Sequence, residues 1–244
     1  MRRASHSEIN SAPIARDDLR RVANGGTVTA PVIADADTGY GDLVNLHRTV
    51  RGYERAGVSG IQLEDQVFPK KCGHTPDRPV IPLEQMVQKI RVAVDTRADE
   101  SCLIVARTDA RTDFGIDDAI RRGNAYAAAG ADLVFVEALT SEQEMARVCR
   151  EVDARLIANI APTGVPPVVS VSRLEELGFA GAIFPALTAM TAMSTMETAL
   201  RHLAETGDFE IRPVLEGNRT GGGPAVRGEH AVALVAEPPV ERGS

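Results

Sequence analysis

Three carboxylates stand at the ends of two short apolar runs. In PVIADAD, residues 31–37, Asp35 and Asp37 are two apart, so on a strand their side chains project to one face. In GIQLED, residues 60–65, Glu64 closes the next such run. Oxygen ligands gathered this way suit Mg²⁺ or Mn²⁺, which keep water or substrate oxygens in their remaining positions. Acids that cap strands or pair with a nearby Lys or Arg share the pattern. The stretch that follows, VFPKKCGHTPDRPVI, runs from 67 to 81 with no helical or strand period. Long loops in compact domains are often active-site lids. This one carries Cys72 between Lys71 and Gly73, with His74 adjacent. Neighbouring cations favour a thiolate, and Gly73 permits a tight bend; an ordinary exposed loop would carry an inert cysteine. Arg107, in LIVARTD, offers a guanidinium to a substrate carboxylate through two parallel hydrogen bonds, or to Glu137 as a salt bridge.

Something must hold these residues together. PVIADAD, GIQLED, LIVARTD, LVFVEA, LIANI and AGAIFP each read as a buried strand. Between them, Leu43, Leu46, Val50 and Tyr53, then Leu83, Met86, Val87, Ile90 and Val94, have helical spacing. Ser141 with Glu144 and Ser172 with Glu175 fit capping boxes for two more helices, and a last helix runs through Met193, Leu200 and Leu203. RAGVSGIQLED, AAGADLVFVEA and ELGFAGAIFP repeat one unit: helix end, glycine, apolar strand. Alternating strands and helices predict a parallel sheet. Asp35, Asp37, Glu64, Arg107, Asp109, Glu137 and Asn159 fall at the C-terminal strand ends, where a (β/α) barrel builds its active site. A doubly wound sheet would also alternate, but no GxGxxG follows a strand. A closed barrel needs eight strands, and six are visible. The expectation is an α/β (β/α)8 TIM-type barrel lacking its first two βα units. It covers residues 31–209, behind an N-terminal segment 1–30 with a partial helix and ahead of a loose tail, 210–244.

Composition narrows the partners. With 244 residues and 43% apolar, the chain can build one sizeable core. Its net charge of -7 and lack of a basic cluster argue against nucleic acid and anionic membranes and favour a small molecule. No apolar run reaches the ~20 residues of a membrane span, and MRRASHSEINSAP has no apolar signal segment, so the cytoplasm is expected. Cys72, Cys102 and Cys149 form no CxxC pair and read as free thiols, the last two in the core. His47 reads as a solvated or packed helix residue, and TAMTAMSTME as helical packing.

In this order, DADTGYG, LEDQVFPKKCGH, ARTDA, FVEA and the Ala-Asn of LIANI resemble the isocitrate lyase and phosphoenolpyruvate mutase superfamily. The 2-methylisocitrate lyases and carboxyphosphonoenolpyruvate phosphonomutases are the nearest groups, and the likeness runs from Pro31 to Phe209. The resemblance implies a Mg²⁺-dependent barrel lyase cleaving 2-methylisocitrate or a related 2-hydroxy polycarboxylate to pyruvate, or glyoxylate, and a dicarboxylate such as succinate. It implies a homotetramer that exchanges a C-terminal helix. Phosphonomutase or oxaloacetate hydrolase chemistry on the same framework is the alternative, as is a truncated, catalytically impaired member.

Carried over by motif, Asp35, Asp37 and Glu64 hold the metal, directly or through water. Cys72 is the lid acid or base, exchanging a proton with the succinate part of the substrate. Arg107, Glu137, Asn159 and Gly73 bind and orient substrate, while Lys71 and His74 support the closed lid. Three features depart from the family pattern: no Ser-Gly-Gly type loop precedes DADTG, NIAPTG places Pro162 where a glutamate is usual, and the residues after Phe209 do not read as the usual helical end.

Overall fold

Among the described residues, six strands and six helices alternate along the chain. The strands are β1 Ile33–Asp35, β2 Gly60–Glu64, β3 Leu103–Thr108, β4 Leu133–Val136, β5 Leu156–Asn159 and β6 Gly181–Ile183. The helices are α1 Leu43–Ala56, α2 Leu83–Thr96, α3 Arg111–Ala128, α4 Glu142–Glu151, α5 Val171–Leu177 and α6 Leu187–Thr206. These elements come from a computed structural model that describes residues 31–72, 75, 77–161, 167–185 and 187–208. The expected opening segment 1–30 with its partial helix, the tail 210–244, and Gly73, His74 and Pro162 lie outside the described residues.

All six apolar runs form strands, and they pair in parallel in chain order, β1 to β6. The sheet curls, and its two faces bury different things. Ile61, Leu63, Ile104, Ala106, Val134, Val136, Leu156 and Ala158 point outward, against Leu46, Val50, Met86, Ile90, Tyr126, Met145 and Leu174 of the helices. Alternate residues Ile33, Leu103, Val105, Leu133, Phe135, Ile157 and Ile183 cluster on the inner face. Each fully buried side chain of this size contributes roughly 1.5–3 kcal/mol over leaving it in water. The two-residue period continues past the apolar floor, so Asp35, Glu64, Arg107, Glu137 and Asn159 are inward positions on the same strands, one step nearer their C-terminal ends.

The repeated glycine stop is real. Gly57, Gly130 and Gly178 sit at φ 88°, 101° and 102°, the left-handed region that a side chain makes costly. Each amide returns to its helix, to the carbonyls of Glu54, Ala127 and Leu174 respectively, which releases the chain directly into the next strand.

Helix starts and packing depart from expectation in two places. Ser141 caps α4 as expected, its Oγ accepting from the Glu144 amide at 3.1 Å. The cap of α5 is Ser170 rather than Ser172: Ser170 has extended backbone and accepts from the Arg173 amide at 3.2 Å, while Ser172 already lies in the first turn. The Met-rich segment is helical, but α6 buries no side chain. Met190, Met193, Met196 and Leu200 are all at least half exposed, so the stripe is not packing against this chain's core. Among the described residues no helix is long and apolar enough to cross a membrane.

Gly130→Ala tests the repeat. An added Cβ meets Val94 Cγ2 at 3.3 Å as well as the unfavourable φ, so urea denaturation should show a loss of about 1–2 kcal/mol.

Candidate active site at the strand ends

Parallel register brings the acids together. β1 pairs Asp35 with Gln62, and β2 pairs Glu64 with Arg107. The ladder runs on beyond β1, with the Ala36 amide donating to the Gln62 carbonyl and the Glu64 amide to the Asp37 carbonyl, both at 2.9 Å. Asp37 then turns into left-handed backbone, φ 51°, and its amide donates to Asp35 Oδ1 at 2.9 Å. A non-glycine residue held there stores about 1–3 kcal/mol of strain, a feature that clusters at functional sites.

Asp35, Asp37 and Glu64 converge on one cation, the ammonium of Lys70. Its Nζ lies 2.6 Å from Asp37 Oδ1, 3.4 Å from Asp35 Oδ2 and 3.6 Å from Glu64 Oε2. Lys70 was not singled out from the sequence. In the pair KK either lysine could face inward, and a loop has no period to choose between them. Lys71 is exposed and is tied through its backbone, its amide donating to Gln66 Oε1 and its carbonyl accepting from Gln66 Nε2.

One ammonium serves three acids unequally. Burial alone would lower the Lys70 pKa, but Glu64, Asp35 and Asp37 outweigh it and hold the lysine protonated. Burial raises Asp37 despite its contact with Lys70. Glu64 is the extreme case. Its side chain is 1% exposed, both carboxylate oxygens lack a hydrogen-bond partner, and burial pushes its pKa up to about 8. The donor set therefore fits a divalent ion: hard oxygens, an orphaned buried carboxylate and an excess of negative charge. Among the described residues no three acid, His or Cys side chains are already closed into a ligand shell; the three acids are arranged around Lys70.

Arg107 is positioned from two sides. Its guanidinium lies 5.1 Å from the Phe135 ring centroid. Nε and Nη2 donate to the two carboxylate oxygens of Asp109 at 2.8 and 2.9 Å, with Glu137 Oε2 farther off, 3.4 Å from Nη2. Thus the expected alternative of a salt bridge to Glu137 is the lesser contact, and Asp109 occupies the fork edge that Nε shares with Nη2. Asn159 Nδ2 donates to both Glu137 oxygens, at 3.1 and 3.3 Å, which leaves Asn159 Oδ1 buried without a partner.

Beneath the mouth lies a network the sequence did not suggest. Asp65 is fully buried and accepts from Tyr126 Oη at 2.6 Å, the Asp109 amide at 2.9 Å and Arg122 Nη1 at 3.2 Å. Arg78, also buried, pairs with Asp109 and donates to the Thr75 carbonyl and Thr112 Oγ1. Only tertiary contact reveals these, because Asp65 and Arg78 lie at opposite ends of the loop after β2, Asp109 just past β3, and Tyr126 in α3.

The loop between β2 and α2 is closed at its base. Gln66 bridges Val80 antiparallel, the Val67 amide donates to the Pro79 carbonyl, and the Ile81 amide donates to the Asp65 carbonyl. Cys72 is exposed on it and lies two residues from Lys70, so its Cα is at most about 7 Å from that of the residue reaching the acids. Cys102 is buried and Cys149 partly buried, and burial pushes both thiols up, to about 11 and about 12. A cleft of about 790 Å³ beside the mouth, lined by Tyr40, Gln66, Phe68 and Lys89 among others, includes none of the three acids.

The phosphoenolpyruvate phosphomutase family profile matches residues 10–204. The chain belongs to the phosphoenolpyruvate mutase and isocitrate lyase family. It is 50% identical over 175 residues to a 2,3-dimethylmalate lyase of Eubacterium barkeri, covering 70% of this chain and 61% of that one. It is 48% identical over 180 residues to a 2-methylisocitrate lyase of Aeropyrum pernix, covering 74% and 58%. The chain thus spans about three fifths of the length of these relatives. A phosphonopyruvate hydrolase solved in complex with oxalate and Mg²⁺ superposes with a TM-score of 0.68 at 27% identity, covering 86% of this chain and 77% of that one.

The buried Glu64 gives a pH prediction for the protein in chelator. Its folded pKa is raised from an ordinary 4.5 to about 8, so its relative stabilisation is complete below pH 4.5 and is lost as pH rises toward 8. Glu64→Gln removes that dependence. Its stability relative to wild type should rise across this window, by about 1–3 kcal/mol at pH 8.5, measured by urea titration at both ends.

Proposed function

We propose that this chain carries the active site of a divalent-cation-dependent carbon–carbon lyase acting on 2-methylisocitrate or a close 2-hydroxy polycarboxylate. The observation that carries the reading is the convergence of Asp35, Asp37 and Glu64 on a single cation position, with the Cys72 loop contributing the residue that reaches it. In this reading the three acids hold Mg²⁺ or Mn²⁺, directly or through water. The ion, when bound, supplies positive charge for oxygens that become negative as the bond breaks.

The chain's own residues do the rest. Arg107, kept protonated by Asp109, Glu137 and Glu64 against the effect of burial, fixes a substrate carboxylate through the guanidinium edge that Asp109 leaves open. Glu137 accepts both contacts from the Asn159 amide nitrogen, which aims the orphaned Asn159 Oδ1 at a donor; a substrate hydroxyl is such a donor. The neighbouring Glu137 carboxylate takes the proton of that hydroxyl, whose oxygen becomes the carbonyl of the 2-oxo acid. The electron pair of the broken bond stays on the carbon alpha to a carboxylate of the leaving dicarboxylate, and the Cys72 thiol protonates that carbon and is left as a thiolate. Gly73, Lys71 and His74 support the loop around it. The relatives named lyases support this substrate class. The exposed apolar stripe of α6 supports a homo-oligomer, since a second copy is the surface that could cover it. Phosphonomutase or oxaloacetate hydrolase activity is the second reading, favoured by the phosphomutase family profile.

Purified protein should release pyruvate from 2-methylisocitrate in the presence of Mg²⁺ and stop when EDTA is added. A panel with isocitrate, oxaloacetate and phosphonopyruvate separates the readings, and turnover of oxaloacetate alone would reject the lyase assignment. Cys72→Ala should lower kcat by about 10²- to 10⁴-fold while leaving calorimetric Mg²⁺ binding unchanged. Turnover equal to wild type would remove Cys72 from the mechanism.

A further inference from the structure

We propose that Lys70 is a built-in competitor for the divalent cation: its ammonium sits where the ion must go, and loading the site displaces it. The inference rests on the metal-dependent reading above and adds a residue with a function of its own. Lys70 Nζ touches all three acids at 2.6–3.6 Å, with its side chain only 15% exposed. Mg²⁺ binds oxygen at about 2.0–2.1 Å and Mn²⁺ is similarly demanding of oxygen donors. An ion drawing on the same oxygens would lie within a few ångströms of the ammonium, and two unscreened positive charges cannot share a partly buried position.

The competition favours the ion. Lys70 approaches Glu64 no closer than 3.6 Å and leaves both Glu64 oxygens without a hydrogen bond, so the ammonium does not saturate the site. Two charges at shorter range serve the three acids better. Lys70 is also able to leave, because it projects from a loop with no strand or helix on four flexible methylene groups. The loop's base is pinned separately, through Gln66, Val80 and Arg78. Displacing the ammonium therefore need not open the fold. In the metal-free protein, Lys70 spares the acids from facing one another unneutralised, and the cost is a weaker apparent affinity for the ion.

Two measurements on the full chain test this. In calorimetric titration with Mn²⁺, Lys70→Met should bind at least about tenfold more tightly than wild type. The surface charge removal Arg91→Met, a control for general electrostatics, should change affinity less than about threefold. On wild-type protein, acetylation of Lys70 by a limiting amine reagent, read by mass spectrometry, should rise several-fold when Mn²⁺ is added. Equal or weaker binding in Lys70→Met, or Lys70 labelling that does not respond to Mn²⁺, overturns the competition and leaves a metal-dependent site standing. Absence of Mn²⁺ binding in both wild type and Lys70→Met overturns the competition and the metal-dependent function together.

Discussion

Carboxylates held out of water at the tips of adjoining parallel strands demand positive charge, and this demand organises the mouth of the sheet. Five acids meet there, Asp35, Asp37, Glu64, Asp109 and Glu137, and three cationic side chains answer them: Lys70, Arg107 and Arg78. The arrangement is uneven. Asp109 receives two guanidinium groups and a well-paired environment, whereas Glu64 receives no hydrogen bond. A buried carboxylate without a hydrogen-bond donor is expensive to ionise, and a bound cation is what would keep it ionised.

The fixed and the changeable parts are separated by chemistry. Below the mouth, Asp65 is saturated by a phenol, an amide and a guanidinium, and Asp109 links that network to Arg107 above and Arg78 in the loop. These neutral sums inside the structure give rigid placement. At the mouth, a flexible lysine draws Asp35, Asp37 and Glu64 together. The loop thus has an anchored base, and Lys70 ties it to the three acids, so cation chemistry at the acids is connected to the segment that presents Cys72.

Much of this was legible in the sequence, for stateable reasons. Buried parallel strands read as short apolar runs, and glycine at a left-handed helix end has no substitute without strain, so the six strands and the repeat at Gly57, Gly130 and Gly178 were visible. The inward acids followed from period-two geometry. Residues whose partners lie far along the chain were not: Asp65 meets Tyr126 sixty-one positions away, and Lys70 meets Asp35 thirty-five away. Nothing in the local pattern of LEDQVFPKKCGH says which lysine turns inward or that Asp65 is met by Tyr126 and Arg122 of α3. The cap of α5 was misplaced by two residues because Ser170 and Ser172 are chemically equal candidates, and only backbone conformation distinguishes them.

Helix α6 has a thermodynamic consequence of its own. Among the described residues the twenty residues of this helix bury no side chain, and helices without tertiary packing are only marginally formed in water. Its Ala, Leu, Met and Glu content helps, yet full winding requires a surface to lie against. Were that surface the proposed second copy, protein concentration would govern the far-ultraviolet ellipticity itself, and dilution would unwind a segment of this chain while its sheet stays intact.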